Sequence, residues 1–283
     1  MTTPAYFEPW FAYQHPIVRQ LAFAIASPNI IRSIPHDLLL KHHFQLHDDC
    51  FWQQQFDRYQ HRLRALDQNP QVLLEFLVRL KSTRLGLRFE HLIWFWLSDE
   101  NYHHYRLLGH SIQIIEGRIT RGELDFLVFN TQTQQNEHWE VALKFYLAEA
   151  DLSLNYWFGL NRSDTLSRKL HHFSHQQFQF ESAEQQHIDQ RFTVLKGQLY
   201  LPRSLELQQQ IQPDWVNNAR RLGQWGYQIQ EKYYRLQRQE WICPHQHQSS
   251  AAAIWWTDGL YFQSEIRQHY MYRQPPFTLL SVE

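Results

Sequence analysis

Apolar residues recur every three to four positions through the first hundred residues, a spacing typical of amphipathic helices. Four segments show it: IVRQLAFAIAS, DDCFWQQQFDRYQHRLRAL, QVLLEFLVRL and RLGLRFEHLIWFWLS, the last over residues 84–98. The first stops before Pro28, and the second opens with acids suited to a helix start and stops at the DQNP break. We therefore predict packing helices up to residue 98, the last of which carries a single charge, Glu90, on its apolar stripe.

Three extended segments follow these helices. They are SIQII from Ser111, ELDFLVF over residues 123–129 and HWEVALKFYL over residues 138–147. The polar stretch NTQTQQNE between the last two has no apolar periodicity and predicts a hairpin loop. These two strands are therefore expected to run antiparallel.

A further helix and strand complete the pattern. The segment NRSDTLSRKLHHFSHQQ predicts a helix capped by Ser163 or Asp164, and RFTVLKGQLYL over residues 191–201 predicts a strand. The resulting order, α-β-β-β-α-β, indicates an α/β fold with a mixed sheet flanked by helices.

The same pattern divides the chain into three regions. Residues 1–83 form an N-terminal helical region packed on the core, residues 84–201 form the core, and residues 202–283 form a C-terminal extension. Within the extension, YYRLQRQEWI predicts a strand. Its many aromatic residues favour packing of the extension onto the core, because exposed aromatic surface is costly.

Composition excludes several classes of protein. The 283 residues hold 27 Lys and Arg against 28 Asp and Glu, so contact with nucleic acid requires a local basic groove. Two cysteines give no disulfide framework. The longest notable apolar run, LIWFWL, is far shorter than the roughly 20 residues that cross a bilayer, and the N-terminus lacks the features of a signal peptide. We expect a cytoplasmic protein with no membrane contact.

Acidic residues and one lysine fall on the predicted hairpin. Because residues two apart on a strand point the same way, Glu123 and Asp125 share one face. On the next strand Glu140, Ala142 and Lys144 do the same. A register with Asp125 beside Ala142 also puts Glu123 beside Lys144. That register would gather two acids and a lysine.

The chemistry of this group suits a metal-dependent hydrolase. Carboxylate oxygens are the ligands that Mg²⁺ and Mn²⁺ prefer, and an ammonium can hold the attacking water or offset developing negative charge. Glu90, from the helix before the sheet, is placed to approach the same spot. The interpretation depends on the acidic oxygens and the amine converging on one pocket.

The element order, the GELDFLV strand and the following strand ending in lysine resemble the PD-(D/E)XK, or restriction-endonuclease-like, superfamily over residues 84–201. This resemblance implies that an Asp on the second strand and Glu-X-Lys on the third bind Mg²⁺ and cleave phosphodiesters. By it, Asp125 matches the Asp, Lys144 the Lys, and Glu90 a helical Glu. Ala142 occupies the place of the motif glutamate, so either Glu140 or an acid of the neighbouring strand replaces it, or the site is incomplete.

More narrowly, GELDFLV, HWEVALKFYL and LKGQLYLP are similar to a bacterial family catalogued as domain of unknown function 1853 and assigned to that superfamily. This similarity extends over most of the chain. It implies a restriction-endonuclease-like core between the N-terminal helices and the C-terminal extension.

Two hypotheses for the function follow. The first is an Mg²⁺-dependent nuclease acting on DNA or RNA, in which the metal ligands are Asp125, with Glu140 or Glu123, and Glu90. Lys144 then positions the water. The second is a catalytically inactive member that binds nucleic acid or a protein partner, motivated by Ala142 and the neutral net charge. A third reading leaves Asp125 and Lys144 as a structural ion pair.

Basic residues around the second predicted helix are candidates for substrate binding. Arg162 and Lys169 could hold phosphate oxygens, although a solvated helix face is the common role of such residues. His43 with His47, and Cys243 near two histidines, lack the paired spacing of a structural zinc site and are interpreted as surface residues. The sequence contains no Gly-rich phosphate loop and no serine hydrolase or zincin motif.

Overall fold

The computed structural model describes residues 6–149, 151–204 and 212–274. In this part of the chain the α-helices are α1 (Pro16–Ala26), α2 (Asp49–Gln68), α3 (Gln71–Val78), α4 (Leu85–Ser98) and α5 (Leu166–His175). The strands are β1 (Gln45–Leu46), β2 (Tyr105–Glu116), β3 (Ile119–Asn130), β4 (Gln135–Ala148), β5 (Trp157–Phe158), β6 (Ser182–Ala183), β7 (Gln186–His187), β8 (Gln190–Pro202), β9 (Gly223–Gly226), β10 (Tyr234–Arg235), β11 (Gly259–Gln263) and β12 (Gln268–Tyr272).

Helices α2 and α5 begin at polar caps. Asp48 caps α2 by accepting the N–H of Phe51 at 2.7 Å, in agreement with the acidic start of that segment. Helix α5 is capped by Thr165, whose hydroxyl accepts the N–H of Arg168 at 3.1 Å. The expected cap at Ser163 or Asp164 is therefore wrong, and the side chain of Asp164 has another partner.

Ten strands form one sheet in the described part of the chain. Its order is β10-β11-β12-β9-β8-β4-β3-β2, with β1 added to β8 and β5 added to β4. Strands β2, β3 and β4 are antiparallel, whereas β4, β8, β9 and β12 run parallel. The elements α4, β2, β3, β4, α5 and β8 follow the expected order, so the α/β fold with a mixed sheet is confirmed.

The C-terminal extension continues this sheet. Strand β9 pairs with the end of β8 from Tyr200 to Pro202, and β12, β11 and β10 follow outward. The expected long strand YYRLQRQEWI is wrong: only Tyr234–Arg235 is extended, and Arg238–Trp241 forms a 3-10 turn. Glu240 closes this turn by accepting the N–H of Gln237 at 2.8 Å, which ends the extended backbone.

The β3–β4 hairpin has a tighter turn than expected. Its strands pair up to Asn130 and Gln135, which leaves four turn residues instead of eight. The side chain of Asn130 accepts the N–H of Gln132 at 3.0 Å, a bond typical of asparagine in turns.

This turn fixes a register that differs from the expected one. Phe126 faces Trp139, and one further step places Asp125 opposite Glu140 rather than opposite Ala142. The expected pairing is therefore wrong by two residues.

Strand β4 has an open edge on the side of β3. Pairing with β3 ends at Trp139, and pairing with β5 begins at Leu147. Among the described residues, no strand occupies the interval between them on that edge. On the opposite edge, β8 pairs with β4 from Glu137 to Leu147 without interruption.

The outer strand β2 is irregular. Its register with β3 shifts between Leu107 and Gly109 and again between Ile114 and Ile115. Between these shifts Ser111 has φ 50°, a left-handed backbone conformation that is uncommon for a residue other than glycine.

The sheet has a hydrophobic core on each face. On one face α1, α2 and α4 cover Trp139 and its neighbours in a cluster that runs from Trp10 to Met271. On the other face α5 covers Ala142, Tyr146 and Leu195. Among the described residues, no helix has the length and apolar character needed to cross a membrane.

Candidate functional site

Two carboxylates interlock at the point where β3 leaves β4. Oδ2 of Asp125 accepts the backbone N–H of Val141 at 2.8 Å, and Oε1 of Glu140 accepts the backbone N–H of Asp125 at 3.4 Å. Each acid thus satisfies a backbone donor of the neighbouring strand that strand pairing has released. These two side chains thus pair the strands at the start of the open edge of β4.

Glu140 is completely buried on the α5 face. Its Oε1 lies 2.7 Å from Nε2 of His138, and its Oε2 accepts a hydrogen bond from the side-chain amide of Gln177. Burial raises the pKa of Glu140 to about 8 and lowers the pKa of His138 to about 3. His138 is therefore neutral at physiological pH, and Glu140 has no contact with solvent.

Asp125 shares this electrostatic environment. Burial is the largest cause that raises the pKa of Asp125 well above its ordinary value, and the charge of Glu140 is the second. The hydrogen bond from the N–H of Val141 lowers this pKa. Asp125 is partly exposed and Glu140 is fully buried, and two adjacent carboxylates with so little contact with water repel each other when both are ionised. Ionisation of both carboxyl groups is therefore unfavourable, and a proton or a cation stabilises the pair.

Glu90 extends the acidic group from α4. Its Oε1 accepts hydrogen bonds from Nε2 of His110 at 2.8 Å and from the Ser111 hydroxyl at 3.4 Å. His110 in turn stacks on Trp94 with ring centroids 4.1 Å apart. The Glu90 charge is close enough to raise the pKa of Asp125. Glu90 therefore lies near Asp125, and its hydrogen-bond partners are His110 and Ser111.

Lys169 is the cation nearest to the acids. It projects from α5 with Nζ 2.9 Å from Oε1 of Gln177 and 3.9 Å from the ring centroid of Phe173. Burial lowers its pKa to about 8, and the charges of Glu140 and Asp125 act in the opposite sense. The side-chain amide of Gln177 thus lies between the Lys169 ammonium and the Glu140 carboxylate.

Lys144 has a different partner from the expected one. Its Nζ lies 2.7 Å from Oδ2 of Asp164, and the Tyr146 hydroxyl donates to Oδ1 of the same carboxylate at 3.4 Å. Both members of the ion pair are partly exposed to solvent. Lys144 is near enough to lower the pKa of Lys169, so it lies at the margin of the site.

Glu123 lies away from the acidic group. It is exposed and faces Gln113 of β2, so the expected pairing of Glu123 with Lys144 is wrong. Arg121 does not pair with Glu123 either, because its Nε binds Glu116 at 2.6 Å. The observed register explains the separation. Strand β3 pairs with β4 only from Phe126 to Asn130, so Glu123 lies outside the paired part of the hairpin.

The two predicted substrate-binding residues are placed differently. Lys169 lies inside the acidic site, whereas Arg162 forms an ion pair with Glu149 at 2.7 Å and covers the ring of Phe158 at 4.1 Å. Arg162 therefore belongs to the surface near β5. Cys243, interpreted as a surface residue, is buried.

Three residues of the site were missed from the sequence. His138 precedes Glu140 by two positions and thus shares its face, a signal that the strand pattern contained. Asp164 was considered only as a helix cap. Gln177 follows α5 in a stretch of polar residues, and no local signal separates it from its neighbours.

The donor chemistry of the site fits a hard divalent cation. Within the described residues, Oδ1 of Asp125 and Oε2 of Glu90 accept no hydrogen bond, and both carboxylates are of the type that binds Mg²⁺. No three His, Cys, Asp or Glu side chains in this part of the chain are spaced as a ready-made metal cage. Oε1 of Glu140 already accepts two hydrogen bonds, so its Oε2, which accepts one from Gln177, is the oxygen with a position left for a metal ion.

Comparison with known proteins gives one match. The family model described as Domain of unknown function (DUF1853) matches residues 19–281. No curated protein and no solved structure matched the chain. Because the family model spans most of the sequence, this chain belongs to the DUF1853 family.

Proposed function

We propose that this chain is a divergent PD-(D/E)XK-type hydrolase that cleaves phosphodiester bonds of DNA or RNA with Mg²⁺ or Mn²⁺. The observation that carries the proposal is the interlocked pair Asp125 and Glu140 at the open edge of β4. The element order supports the same superfamily. Buried acids with strongly shifted pKa values are typical of sites that bind or transform a ligand.

The acids supply the metal ligands in this proposal. Asp125 and Glu140 bind the ion directly, and Glu90 contributes the oxygen that His110 leaves free. A bound divalent cation acts as a Lewis acid and lowers the pKa of a bound water. The two adjacent carboxylates repel each other when both are ionised, so the pair retains a proton in the absence of a cation. A bound cation would stabilise the doubly ionised pair instead.

In this proposal Lys169, rather than Lys144, is the lysine that positions the attacking water. With a pKa of about 8, its amine is protonated in most molecules at neutral pH and can donate hydrogen bonds to a water or a phosphate oxygen. Lys144 remains paired with Asp164 and influences the site through the pKa of Lys169.

Metal binding provides the first test. Calorimetric titration with Mg²⁺ and Mn²⁺ should show saturable binding that releases protons, because the cation displaces the proton held by the acidic pair. Titrations in two buffers that differ in ionisation enthalpy measure this release. Binding should be lost in Asp125→Asn and retained in the control Glu123→Gln, which changes an exposed acid of the same strand. Failure of the wild-type protein to bind either ion would overturn the proposal.

Cleavage of nucleic acid provides the second test. Labelled single-stranded and double-stranded DNA and RNA should be degraded only when Mg²⁺ or Mn²⁺ is added. Lys169→Met should lower the rate by about 100-fold or more, the range typical for loss of a positioned proton donor. Lys144→Met removes a partly exposed ion pair and should change the rate by less than about tenfold. Equal losses in both variants would contradict the role given to Lys169.

A catalytically silent protein that binds nucleic acid or a protein partner is the second candidate. It is favoured by Ala142 at the position of the motif glutamate and by the hydrogen bonds that both Glu140 oxygens already accept. The variant Gln177→Leu separates the two candidates, because it frees one Glu140 oxygen. Metal binding that appears only in Gln177→Leu would favour the silent protein.

A further inference from the structure

A cavity lies on the opposite face of the sheet from the acidic site, where β4 and β8 begin. It has a volume of about 410 Å³, within the range of small-molecule sites. Glu137 lines it, and because Glu137 and Glu140 are three residues apart on one strand, their side chains point to opposite faces. The cavity is therefore separate from the acidic site and does not depend on the function proposed for it.

Two residues of the cavity lining each carry a buried polar atom that has no hydrogen-bond partner among the described residues. Gln55 of α2 is only 4% exposed, and within the described residues its Oε1 accepts no hydrogen bond. The buried Nε2 of His47 likewise meets no partner in the described part of the chain. Leaving such atoms unpaired costs free energy that a bound ligand would recover.

The ring of His47 is neutral and fixed in place. It is stacked between Phe51 and Phe192, with ring centroids 3.9 Å and 4.0 Å away. Burial lowers the pKa of His47 to about 3. The interpretation of His47 as a surface residue is therefore wrong. Phe51 and Phe192 are themselves half-buried and line the cavity.

The buried carboxylate of Glu137 adds hydrogen-bond acceptors to the cavity lining. Glu137 is 3% exposed and accepts hydrogen bonds from the Asn130 amide at 2.7 Å and from the Trp139 indole at 2.8 Å. Each of its oxygens retains a second acceptor position. At the rim, the side chains of Gln45 and Gln190 bond each other at 2.8 Å and offer amide donors.

We propose that this cavity binds an uncharged planar nitrogen heterocycle, namely the base of a nucleoside. The half-buried rings of Phe51 and Phe192 provide aromatic surface for such a ring. Gln55 and Glu137 accept hydrogen bonds from its N–H groups, and the rim amides donate to its ring nitrogens or carbonyl oxygens. A nucleobase is planar and carries both donors and acceptors on its edge, as this lining requires.

Calorimetric titration with adenosine, guanosine, cytidine and uridine tests the proposal, with glucose as a polar control that lacks an aromatic ring. At least one nucleoside should bind saturably, and glucose should not. The variant Gln55→Leu removes an acceptor with little change in volume and should weaken nucleoside binding at least tenfold. The control Gln53→Leu changes an exposed glutamine of the same helix and should bind as the wild type does.

Thermal unfolding shows whether Gln55→Leu remains folded. Because the substitution removes a buried acceptor that lacks a partner, its melting temperature without ligand should equal or exceed that of the wild type. Glu137→Gln, which keeps the shape of the side chain, should also weaken binding and serves as the second variant. The proposal would be overturned if no nucleoside bound at millimolar concentration, if glucose bound equally well, or if folded Gln55→Leu bound nucleosides as the wild type does.

Discussion

A single side-chain amide connects the charged groups of the acidic site. Gln177 donates from Nε2 to Glu140 and accepts at Oε1 from Lys169. Reversal of the amide would place its oxygen against a carboxylate and its NH₂ group against an ammonium, so its orientation is fixed by both neighbours. The acid and the lysine are thus bridged by a neutral group, and burial moves the pKa of each towards neutrality.

The raised pKa of Glu140 predicts a pH dependence of stability. Burial raises it from 4.5 to about 8, so between these pH values the folded chain holds a proton that the unfolded chain has lost. The stabilisation from protonated Glu140 is fully present below pH 4.5 and is lost as the pH rises to about 8. We expect the free energy of unfolding of the wild type to fall, relative to that of Glu140→Gln, across this window.

Urea unfolding of both proteins at several pH values measures this difference. Lys169, with a pKa lowered from 10.5 to about 8, acts mainly above the window and does not obscure the effect. Glu123→Gln is the matched control, since that acid is exposed, and its difference from the wild type should stay flat. A constant difference between the wild type and Glu140→Gln would contradict the raised pKa.

At the scale of elements, the contact between β4 and β8 depends on a glycine. Gly197 has φ 124°, and a Cβ atom at this position would lie 1.9 Å from the carbonyl oxygen of Lys144. We expect Gly197→Ala to lower the free energy of unfolding by about 2 kcal/mol or more, because both the backbone strain and the clash oppose it. Urea unfolding measures the loss.

Gly86 in α4 is the matched control for this substitution. A Cβ at Gly86 would meet no atom within 4 Å, and the residue lies in an exposed helical position. Gly86→Ala should therefore raise the free energy of unfolding by about 0.5–1 kcal/mol. A similar effect of both alanines would contradict the close approach of β8 to Lys144.

The sequence predicted the elements well and the strand register poorly, for a physical reason. Helices α1, α2 and α4 follow from apolar spacing, which is a local property. Side chains alternate with a period of two along a strand, so a register error of two residues leaves every residue on its correct face. The pattern therefore assigned Asp125 to the correct face but gave it Ala142 as neighbour instead of Glu140.

The same distinction applies to the candidate site. Asp125, Glu140 and Glu90 lie near one another because they belong to neighbouring elements of the core, β3, β4 and α4, whose faces could be read from the sequence. Lys169 and Gln177 come from α5 and the residues after it, and their position depends on how that helix packs across the sheet. No local pattern encodes that packing, so the role of Lys169 in the acidic site could not be predicted.

At the scale of the molecule, the described residues share one continuous core. One hydrophobic cluster joins α1 and α2 to Phe262 and Met271 of the C-terminal strands. Strand β9 also completes the edge of β8 from Tyr200 to Pro202. The three regions expected from the sequence are therefore joined by shared packing and shared strand pairing.

This continuity predicts cooperative unfolding. Tryptophan fluorescence and far-UV circular dichroism should report one coincident urea transition for the full chain. A fragment ending at Pro202 loses the strand beside the end of β8 and the stacking of Phe11 on Phe262, so it should be unfolded or insoluble. Two separate transitions, or a folded fragment 1–202, would contradict a single cooperative unit.

The irregular outer strand affects how copies of this protein behave at high concentration. A sheet edge with a long regular row of free backbone groups recruits strands from other molecules and promotes polymerisation. Here one edge, β10, offers two residues, and at the other edge the left-handed backbone of Ser111 interrupts β2. At the two outer edges of the sheet, as far as the described residues form them, an incoming chain therefore meets no long regular row of backbone groups, and growth of the sheet from molecule to molecule is disfavoured.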